Sequence, residues 1–283
     1  KEAGRNTYQY YSQDALVRTQ RRLDIEHALH GAVERDEFSL VYQPLVDSRE
    51  GQPPSIEALL RWSNPKLGAC APAEFIPLAE ANGLINLLGG WALRAACMQL
   101  ARWDRTRLDG LYMSVNVSAQ QFHHPSFPSL VWQAIADSGV EGHRLVLEIT
   151  ESVLMRDPEQ ADLVLRELQT LGVRFAVDDF GAGYSSLGYL KRFPLSALKI
   201  DRSFVKDMPT SPNDRTIVTA VLGLARELGL SAIAEGVETE EQRQMLIDRG
   251  CHSIQGWLVS KALPAGELEA AFASGRLNVD AGH

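Results

Sequence analysis

The chain has little of three features that would each indicate a particular class of protein: paired cysteines, long apolar runs and positive charge. Its three cysteines, Cys70, Cys97 and Cys251, lie far apart and have the spacing of neither a disulfide framework nor a metal site. We therefore expect reduced, mostly buried thiols and a cytoplasmic location. No segment approaches the roughly 18 consecutive apolar residues of a spanning helix. The polar start "KEAGRNTYQYYSQD" lacks the pattern of a signal peptide, which leaves open a membrane anchor elsewhere in a longer parent protein.

The excess of negative over positive charge limits the kinds of partner that the chain can bind. A net charge of −8 argues against a broad surface for nucleic-acid polymers or anionic membranes, because such surfaces need clustered Lys and Arg. A hydrophobic content of 45% with 23% charged residues is ordinary for a globular domain. A small anionic ligand is compatible with this composition if metal ions neutralise its site.

Short apolar runs alternate with longer helical stretches along most of the chain. The helical stretches carry end signals, such as Asp157 followed by Pro158 at one start and Thr239 with Gln242 in a capping-box pattern at another. This alternation predicts an α/β fold, a TIM-like (β/α)8 barrel, with a doubly wound open sheet as the alternative. The eight runs are "SLVYQPLV", "SIEALLRW", "LYMSVNVS", "RLVLEITE", "RFAVDDFG", "SALKID", "SAIAEGVE" and "HSIQGW".

The start of this pattern differs from the rest. The segment "VRTQRRLDIEHALHGAVERDEF" has apolar residues at helical spacing and predicts an amphipathic helix before the first strand. Between the first two runs stands only "DSREGQPP", which is shorter than the dozen or more residues that a parallel crossover needs. We therefore expect the first strand to run antiparallel to the second.

Polar residues end the apolar runs, at the edge where barrel enzymes carry their chemistry. Any one of them alone is more often a cap or a surface charge, but every run after the first supplies one. Carboxylate and amide oxygens suit Mg²⁺ or Mn²⁺ better than zinc. The adjacent carboxylates of Asp178 and Asp179 repel each other unless cations offset them, so we expect each to face its own metal ion. The set comprises Glu57, Asn116, Glu148, Asp178, Asp179, Lys199, Glu235 and Gln255.

Two close hard cations suit phosphoryl transfer, because they stabilise the attacking and leaving oxygens while a lysine holds or polarises the water. The set therefore indicates a metal-dependent phosphodiesterase. Arg61 is the natural phosphate contact, or else a partner in a surface ion pair. A Schiff-base role for Lys199 is disfavoured, since surrounding carboxylates stabilise its charged form.

The chain contains, in order, the motifs "IEALLRW", "NVSAQQF", "LEITES", "DDFGAGYSSL", "LKIDRSF", "AEGVETEEQ" and "QGWLVS". With these motifs it resembles the EAL domain family from about residue 20 to about residue 275. The resemblance implies a TIM-like barrel with an antiparallel first strand that hydrolyses the bacterial second messenger cyclic di-GMP to linear pGpG, in signalling that controls biofilm formation and motility. It also implies two Mg²⁺ or Mn²⁺ ions per site, with inhibition by Ca²⁺.

The same resemblance assigns roles to individual residues. Glu57, Asn116, Glu148 and Asp178 would bind the first metal ion, and Asp179 the second. Glu235 would be a metal ligand or the general base, and Lys199 would hold the nucleophilic water. Glu151 would brace the "DDFGAGYSSL" loop. The residues that would contact substrate are Arg61, Asp201, Glu238 and Gln255.

The resemblance also predicts domain boundaries, and the chain departs from the family pattern at three positions. The first fourteen residues resemble the end of a GGDEF domain, so we expect residues 1–18 to be its remnant with a linker, 19–276 the EAL domain and 277–283 a tail. The resemblance implies a homodimer and upstream GGDEF or sensor domains in the parent protein. Trp257, Ala262 and Ala182 replace residues that are more frequent in the family, and none of the three is a metal ligand. Two rivals stay open, a cyclic di-GMP receptor without activity and a barrel enzyme for an unrelated phosphate or enolate.

Overall fold

A computed structural model describes residues 13–49, 54–104, 106, 108, 110–181 and 187–277. Strands and helices alternate through most of these residues, as the sequence predicts. The strands are β1 (Phe38–Asp47), β2 (Ser55–Asn64), β3 (Gly68–Cys70), β4 (Tyr112–Val117), β5 (Leu145–Thr150), β6 (Arg174–Phe180), β7 (Ala197–Ile200), β8 (Ser231–Ala234) and β9 (Ser253–Ile254). The helices are α1 (Gln13–Leu29), α2 (Pro72–Ala81), α3 (Ile85–Trp103), α4 (Ala119–Phe122), α5 (Phe127–Ser138), α6 (Glu151–Arg156), α7 (Pro158–Gln169), α8 (Leu187–Leu190), α9 (Arg202–Asp207), α10 (Pro212–Leu228), α11 (Glu240–Ile247) and α12 (Ala265–Ala273).

The described residues divide into two compact units, one within the ranges 1–39 and 61–85 and the other within the ranges 40–60 and 86–283. In the second unit the strand order is β1-β9-β8-β7-β6-β5-β4-β2, and a pairing between β1 and β2 closes the sheet. The predicted eight-stranded barrel is therefore confirmed, and the open doubly wound sheet is not. From β2 through β9 the barrel strands pair in parallel, whereas β1 pairs with β9 antiparallel. This confirms the antiparallel first strand inferred from the short connection.

Two barrel helices, α7 and α11, begin at the residues that the local sequence signals predicted. The Asp157 side chain accepts a hydrogen bond from the Gln160 backbone N–H at 3.2 Å, and Pro158 opens α7. Thr239 and Gln242 form a capping box at the start of α11. Each cap satisfies backbone N–H groups that the first helical turn leaves without partners. The barrel thus has sharply defined helix starts beside the carboxyl ends of its strands.

The smaller unit is organised around a buried carboxylate. Glu37 accepts hydrogen bonds from Trp62 Nε1 and Asn64 Nδ2, both at 2.9 Å, and from Arg35 Nε at 2.6 Å. The rings of Trp62 and Phe75 pack edge to face with centroids 5.5 Å apart. The short strand β3 pairs antiparallel with the end of β2 and was not expected from the sequence, because three residues show no readable alternation.

Two further expectations concern cysteines and membranes. Cys70, Cys97 and Cys251 are free and buried, as predicted. Burial raises the pKa of the Cys97 thiol to about 12, and that of Cys251 likewise to about 12. Among the described residues, every helix is too short or too polar to cross a bilayer.

Candidate active site

Lys199 stands at the centre of the acidic cluster. It lies on β7, whose four residues are all buried, and its side chain is fully buried. Its Nζ lies 2.5 Å from Glu148 Oε2 and 2.6 Å from Glu235 Oε1. Glu57 Oε2 and Asp178 Oδ1 each lie 3.5 Å from the same nitrogen. A buried ammonium is tolerated here because several carboxylates surround it.

A bulge in β6 explains how two consecutive aspartates reach one site. Successive side chains of a regular strand point to opposite faces. Between the pairs Val177–Leu198 and Phe180–Ile200 the register shifts, so that Asp178 and Asp179 on β6 stand opposite Lys199 alone on β7. Asp179 has a φ of 53°, a left-handed conformation that Asp tolerates better than most residues. Carboxylate oxygens of Asp178, Asp179 and Glu235 consequently lie within 4.8 Å of one another.

Amide groups hold Glu57 from the other side of the cluster. Asn116 Nδ2 donates to Glu57 Oε1 and Gln255 Nε2 donates to Glu57 Oε2, both at 2.6 Å. Gln255 Nε2 also donates to Gln43 Oε1 at 3.2 Å, and Gln43 Nε2 donates to the Ser260 carbonyl at 3.0 Å. Because the Ser260 carbonyl can only accept, the Gln43 amide must turn its oxygen to Gln255, and Gln255 in turn directs its NH2 group to Glu57. Glu57 therefore has a fixed orientation.

Burial and the crowding of negative charge raise the pKa values of three carboxyl groups in the cluster. Burial and the charge of Glu57 raise the pKa of Glu148 well above its usual range. Burial raises the pKa of Glu235 to about 7, although Lys199 opposes this. Burial together with the charge of Asp178 raises the pKa of Asp179 to about 6. More carboxylates meet here than one ammonium balances, and protons are favoured where no other cation offsets them.

The pKa of Glu57 is lowered and that of Lys199 is raised, so that both groups keep their charge. Burial acts to raise the pKa of Glu57, but Lys199 and the amides of Gln255 and Asn116 outweigh it, and the pKa lies below its usual value. Burial acts to lower the pKa of Lys199, yet the carboxylates led by Glu148 raise it well above the usual value. A charged Lys199 beside an ionised Glu57 is therefore the stable arrangement.

The cluster opens into a cavity of about 310 Å³. The rim is closely packed: a side chain on Gly256 would bring Cβ to 2.1 Å from the Val237 carbonyl oxygen, and one on Gly236 to 2.6 Å from Arg202 Cβ. Trp257 lies on the rim with 64% of its surface exposed, and Lys261 Nζ lies 5.1 Å from its ring centre. The lining is formed by Gln43, Glu57, Asp178, Arg202, Glu235, Gly236, Glu238, Gln255, Gly256 and Trp257.

The donor set of this cluster fits divalent cations. Its candidate ligands are carboxylate oxygens with one amide, which hard ions such as Mg²⁺ and Mn²⁺ prefer. Within the described part of the chain, Glu148 Oε1 is buried and has no hydrogen-bond partner, an expensive state for a carboxylate oxygen that no cation contacts. The residues present therefore suit metal ions better than they suit a site without them.

Some predicted site residues differ in position from what the sequence suggested or lie apart from the acidic cluster. Glu57 is the third residue of β2 and not its last, because β2 continues to its pairing with β3. Asp201 caps α9 by accepting from the Ser203 N–H at 2.9 Å. Glu151 is buried at the start of α6, whereas residues 182–186 of the loop it was expected to brace lie outside the described residues. Arg61 lies on β2 in the smaller unit and is partly buried.

Sequence reasoning did not single out Gln43 or Arg202. Gln43 is the only polar side chain in the run "VYQPLV", and a polar residue inside a buried strand was the available signal. Arg202 follows Asp201 directly, and nothing in the local pattern distinguishes it from a surface charge.

Known proteins with similar sequences or structures include proteins named as cyclic di-GMP phosphodiesterases. The bifunctional diguanylate cyclase/cyclic di-GMP phosphodiesterase MucR of Pseudomonas aeruginosa is 42% identical over 277 residues, which cover 96% of this chain and 40% of that protein. The cyclic di-GMP phosphodiesterase NbdA of the same organism is 41% identical over 269 residues, which cover 95% of this chain and 34% of that protein. A solved structure of the PaMucR phosphodiesterase in complex with c-di-GMP has a TM-score of 0.83 and 42% identity, and covers 87% of this chain and 99% of that one.

The chain spans less than half the length of the two full-length relatives, so the comparison concerns one part of each. The family model of the EAL domain matches residues 26–262, which include every predicted metal ligand. The barrel, the acidic cluster and these matches lead to one conclusion: the chain belongs to the EAL domain family.

Proposed function

We propose that this chain is a phosphodiesterase that hydrolyses cyclic di-GMP to linear pGpG with two bound divalent cations. The observation that carries the proposal is the charge of the cluster. Five carboxylates, those of Glu57, Glu148, Asp178, Asp179 and Glu235, face one ammonium, so full ionisation leaves four negative charges. Two Mg²⁺ or Mn²⁺ ions would neutralise that excess.

Each residue has a part in this proposal. Glu57, Asn116, Glu148 and Asp178 would hold one ion, and Asp179 with Glu235 the other. The ions would supply Lewis-acid stabilisation of the reacting phosphate and lower the pKa of the attacking water. Lys199 contributes a fixed positive charge beside that water. Glu235, whose Oε1 lies 2.6 Å from Lys199 Nζ, would accept the proton of the water in the alternative in which it is the general base and not a metal ligand.

The rim fits a nucleotide substrate. Trp257 offers an exposed aromatic surface on which a guanine base can stack. Gln255 and Glu238 line the same cavity and carry groups that bind base or ribose hydrogens, and Asp201 lies beside Asp179. Arg61 would contact a phosphate. Support for cyclic di-GMP as the ligand also comes from the relatives named as its phosphodiesterases.

The setting of the domain is part of the same proposal. MucR is named as a bifunctional cyclase and phosphodiesterase, which supports an upstream GGDEF domain in the parent protein. We also propose a cytoplasmic homodimer. Light scattering tests the dimer, and a single monomer mass at working concentration would contradict it.

The test is hydrolysis of cyclic di-GMP by the purified chain, followed by chromatography. We expect pGpG with Mg²⁺ or Mn²⁺, and none with EDTA or with Ca²⁺ in their place. Glu57→Ala should abolish cleavage, while Glu227→Ala, which removes an exposed carboxylate on α10, should not. Binding of cyclic di-GMP without cleavage in every metal would instead identify a receptor domain.

A further inference from the structure

Arg202 occupies an unusual place on the rim of the acidic cavity. It is exposed, and it is the one cationic residue among the described residues that line this cavity. Four carboxylates share the lining with it: Glu57, Asp178, Glu235 and Glu238. Even so, within the described part of the chain the Arg202 guanidinium makes no ion pair within 4.0 Å and no hydrogen bond. Its charge interacts with the neighbouring carboxylate of Asp201, whose pKa it helps to lower, but no described carboxylate holds it in an ion pair.

Local structure does not account for an arginine at this position. Arg202 is the first residue of α9, directly after the capping Asp201. A cation near a helix N-terminus is mildly unfavourable, because the helix dipole is positive there. The backbone around Arg202 is nevertheless held closely, since a side chain at Gly236 would collide with Arg202 Cβ. Arg202 is thus closely packed at its Cβ, and its guanidinium makes no ion pair within 4.0 Å with a described residue.

The chemistry of the ligand fits this arrangement. Cyclic di-GMP carries two phosphodiester groups, each with one negative charge, and only one of them can be cleaved at the metal ligands at a time. The other must lie elsewhere in the cavity, where Glu238, the lining carboxylate outside the proposed metal sites, repels it unless a cation meets it. A guanidinium binds phosphate oxygens through two parallel N–H bonds.

We propose that Arg202 binds the phosphodiester of cyclic di-GMP that is not being cleaved, and so selects cyclic dinucleotides over ligands with a single phosphate. This inference rests on the proposed function. It makes Arg202, on helix α9, a substrate-contacting residue separate from Arg61, which lies on strand β2.

The test compares Arg202→Ala, Arg202→Lys and Lys206→Ala. The alanine at position 202 keeps the Cβ that packs on Gly236, so the fold should be retained. Lys206→Ala removes the same charge from an exposed residue at the other end of α9 and serves as the matched control. Calorimetry in Ca²⁺ at two ionic strengths measures cyclic di-GMP binding, and chromatography of the recovered ligand checks that it stays intact. Mn²⁺ binding is measured separately, without cyclic di-GMP. The values of kcat and KM are measured in Mg²⁺.

We expect Arg202→Ala to weaken cyclic di-GMP binding about tenfold and to reduce its salt dependence, as for loss of a charged hydrogen bond. KM should rise more than kcat falls, Arg202→Lys should be intermediate, and Mn²⁺ binding should not change. Equal affinities of Arg202→Ala and Lys206→Ala would overturn the inference while leaving the enzyme proposal intact. Weakened Mn²⁺ binding by Arg202→Ala would also overturn it, because Arg202 would then act through the metal site. Failure of the unsubstituted chain to bind cyclic di-GMP would reject the proposed function itself.

Discussion

Replacement of Lys199 by methionine removes the ammonium group that contacts four carboxylates at the centre of the cluster. Methionine has a similar length and leaves four carboxylates around an apolar group. The lost partners are Glu148 and Glu235 at 2.5 and 2.6 Å, with Glu57 and Asp178 at 3.5 Å. Removal of one member of a buried ion pair costs about 3 to 5 kcal/mol, because the remaining charge stays buried without compensation.

We therefore expect Lys199→Met to lower the free energy of unfolding by about 3 to 5 kcal/mol in EDTA and to abolish hydrolysis. Urea unfolding followed by tryptophan fluorescence measures the first effect, and chromatography of product measures the second. Added Mn²⁺ should restore part of the lost stability, since bound cations offset the same carboxylates. Lys206→Met, the same change at an exposed residue, should alter stability by less than about 0.5 kcal/mol.

Two results would refute this reasoning. If Lys199→Met and Lys206→Met unfolded at the same urea concentration, the ammonium would not hold the carboxylates together. If Lys199→Met were destabilised but Mn²⁺ restored nothing, the carboxylates would not act jointly as a cation site.

Three further predictions test other parts of the barrel. Gly256→Ala should destabilise the fold by about 1 to 3 kcal/mol and reduce activity, because its Cβ would meet backbone 2.1 Å away. A thermal melt measures the change in stability. In the same melt Gly223→Ala, at a helical site with open space, should be neutral or stabilising. Burial acts to raise the pKa of Asp47, but hydrogen bonds from Arg49 and Ser253 bring it down to about 2, so its ionised form stabilises the fold above the unfolded pKa of about 3.9. Asp47→Asn should then cost about 1 to 2 kcal/mol at pH 6 and progressively less as pH falls towards 2, and an unchanged difference in urea unfolding across that range would contradict the assignment. Asp179→Asn should keep the left-handed backbone and the fold yet lose the second metal ion, seen as one Mn²⁺ fewer in a binding titration.

The β6 bulge gives the adjacent aspartates their physical meaning. In a regular strand, one of two consecutive carboxylates would point away from the site. The extra residue on β6 and the positive φ of Asp179 turn both towards the cluster. The sequence predicted that both face cations, but it contained no signal for the bulge, because a shift in strand register depends on the neighbouring strand β7.

The sequence by itself determined the eight barrel strands, the starts of α7 and α11, the antiparallel β1 and the family. These follow from local patterns: the alternation of apolar residues, caps that satisfy the first helical N–H groups, and a connection too short to cross over. Tertiary structure alone decided that Lys199 contacts four carboxylates, that Gln43 orients Gln255, and that Arg202 reaches the rim of the cavity. These contacts join residues far apart in the chain, such as Glu57 and Lys199. Closure of the barrel creates them, and the burial that shifts the pKa values of the cluster appears only when the strands have come together.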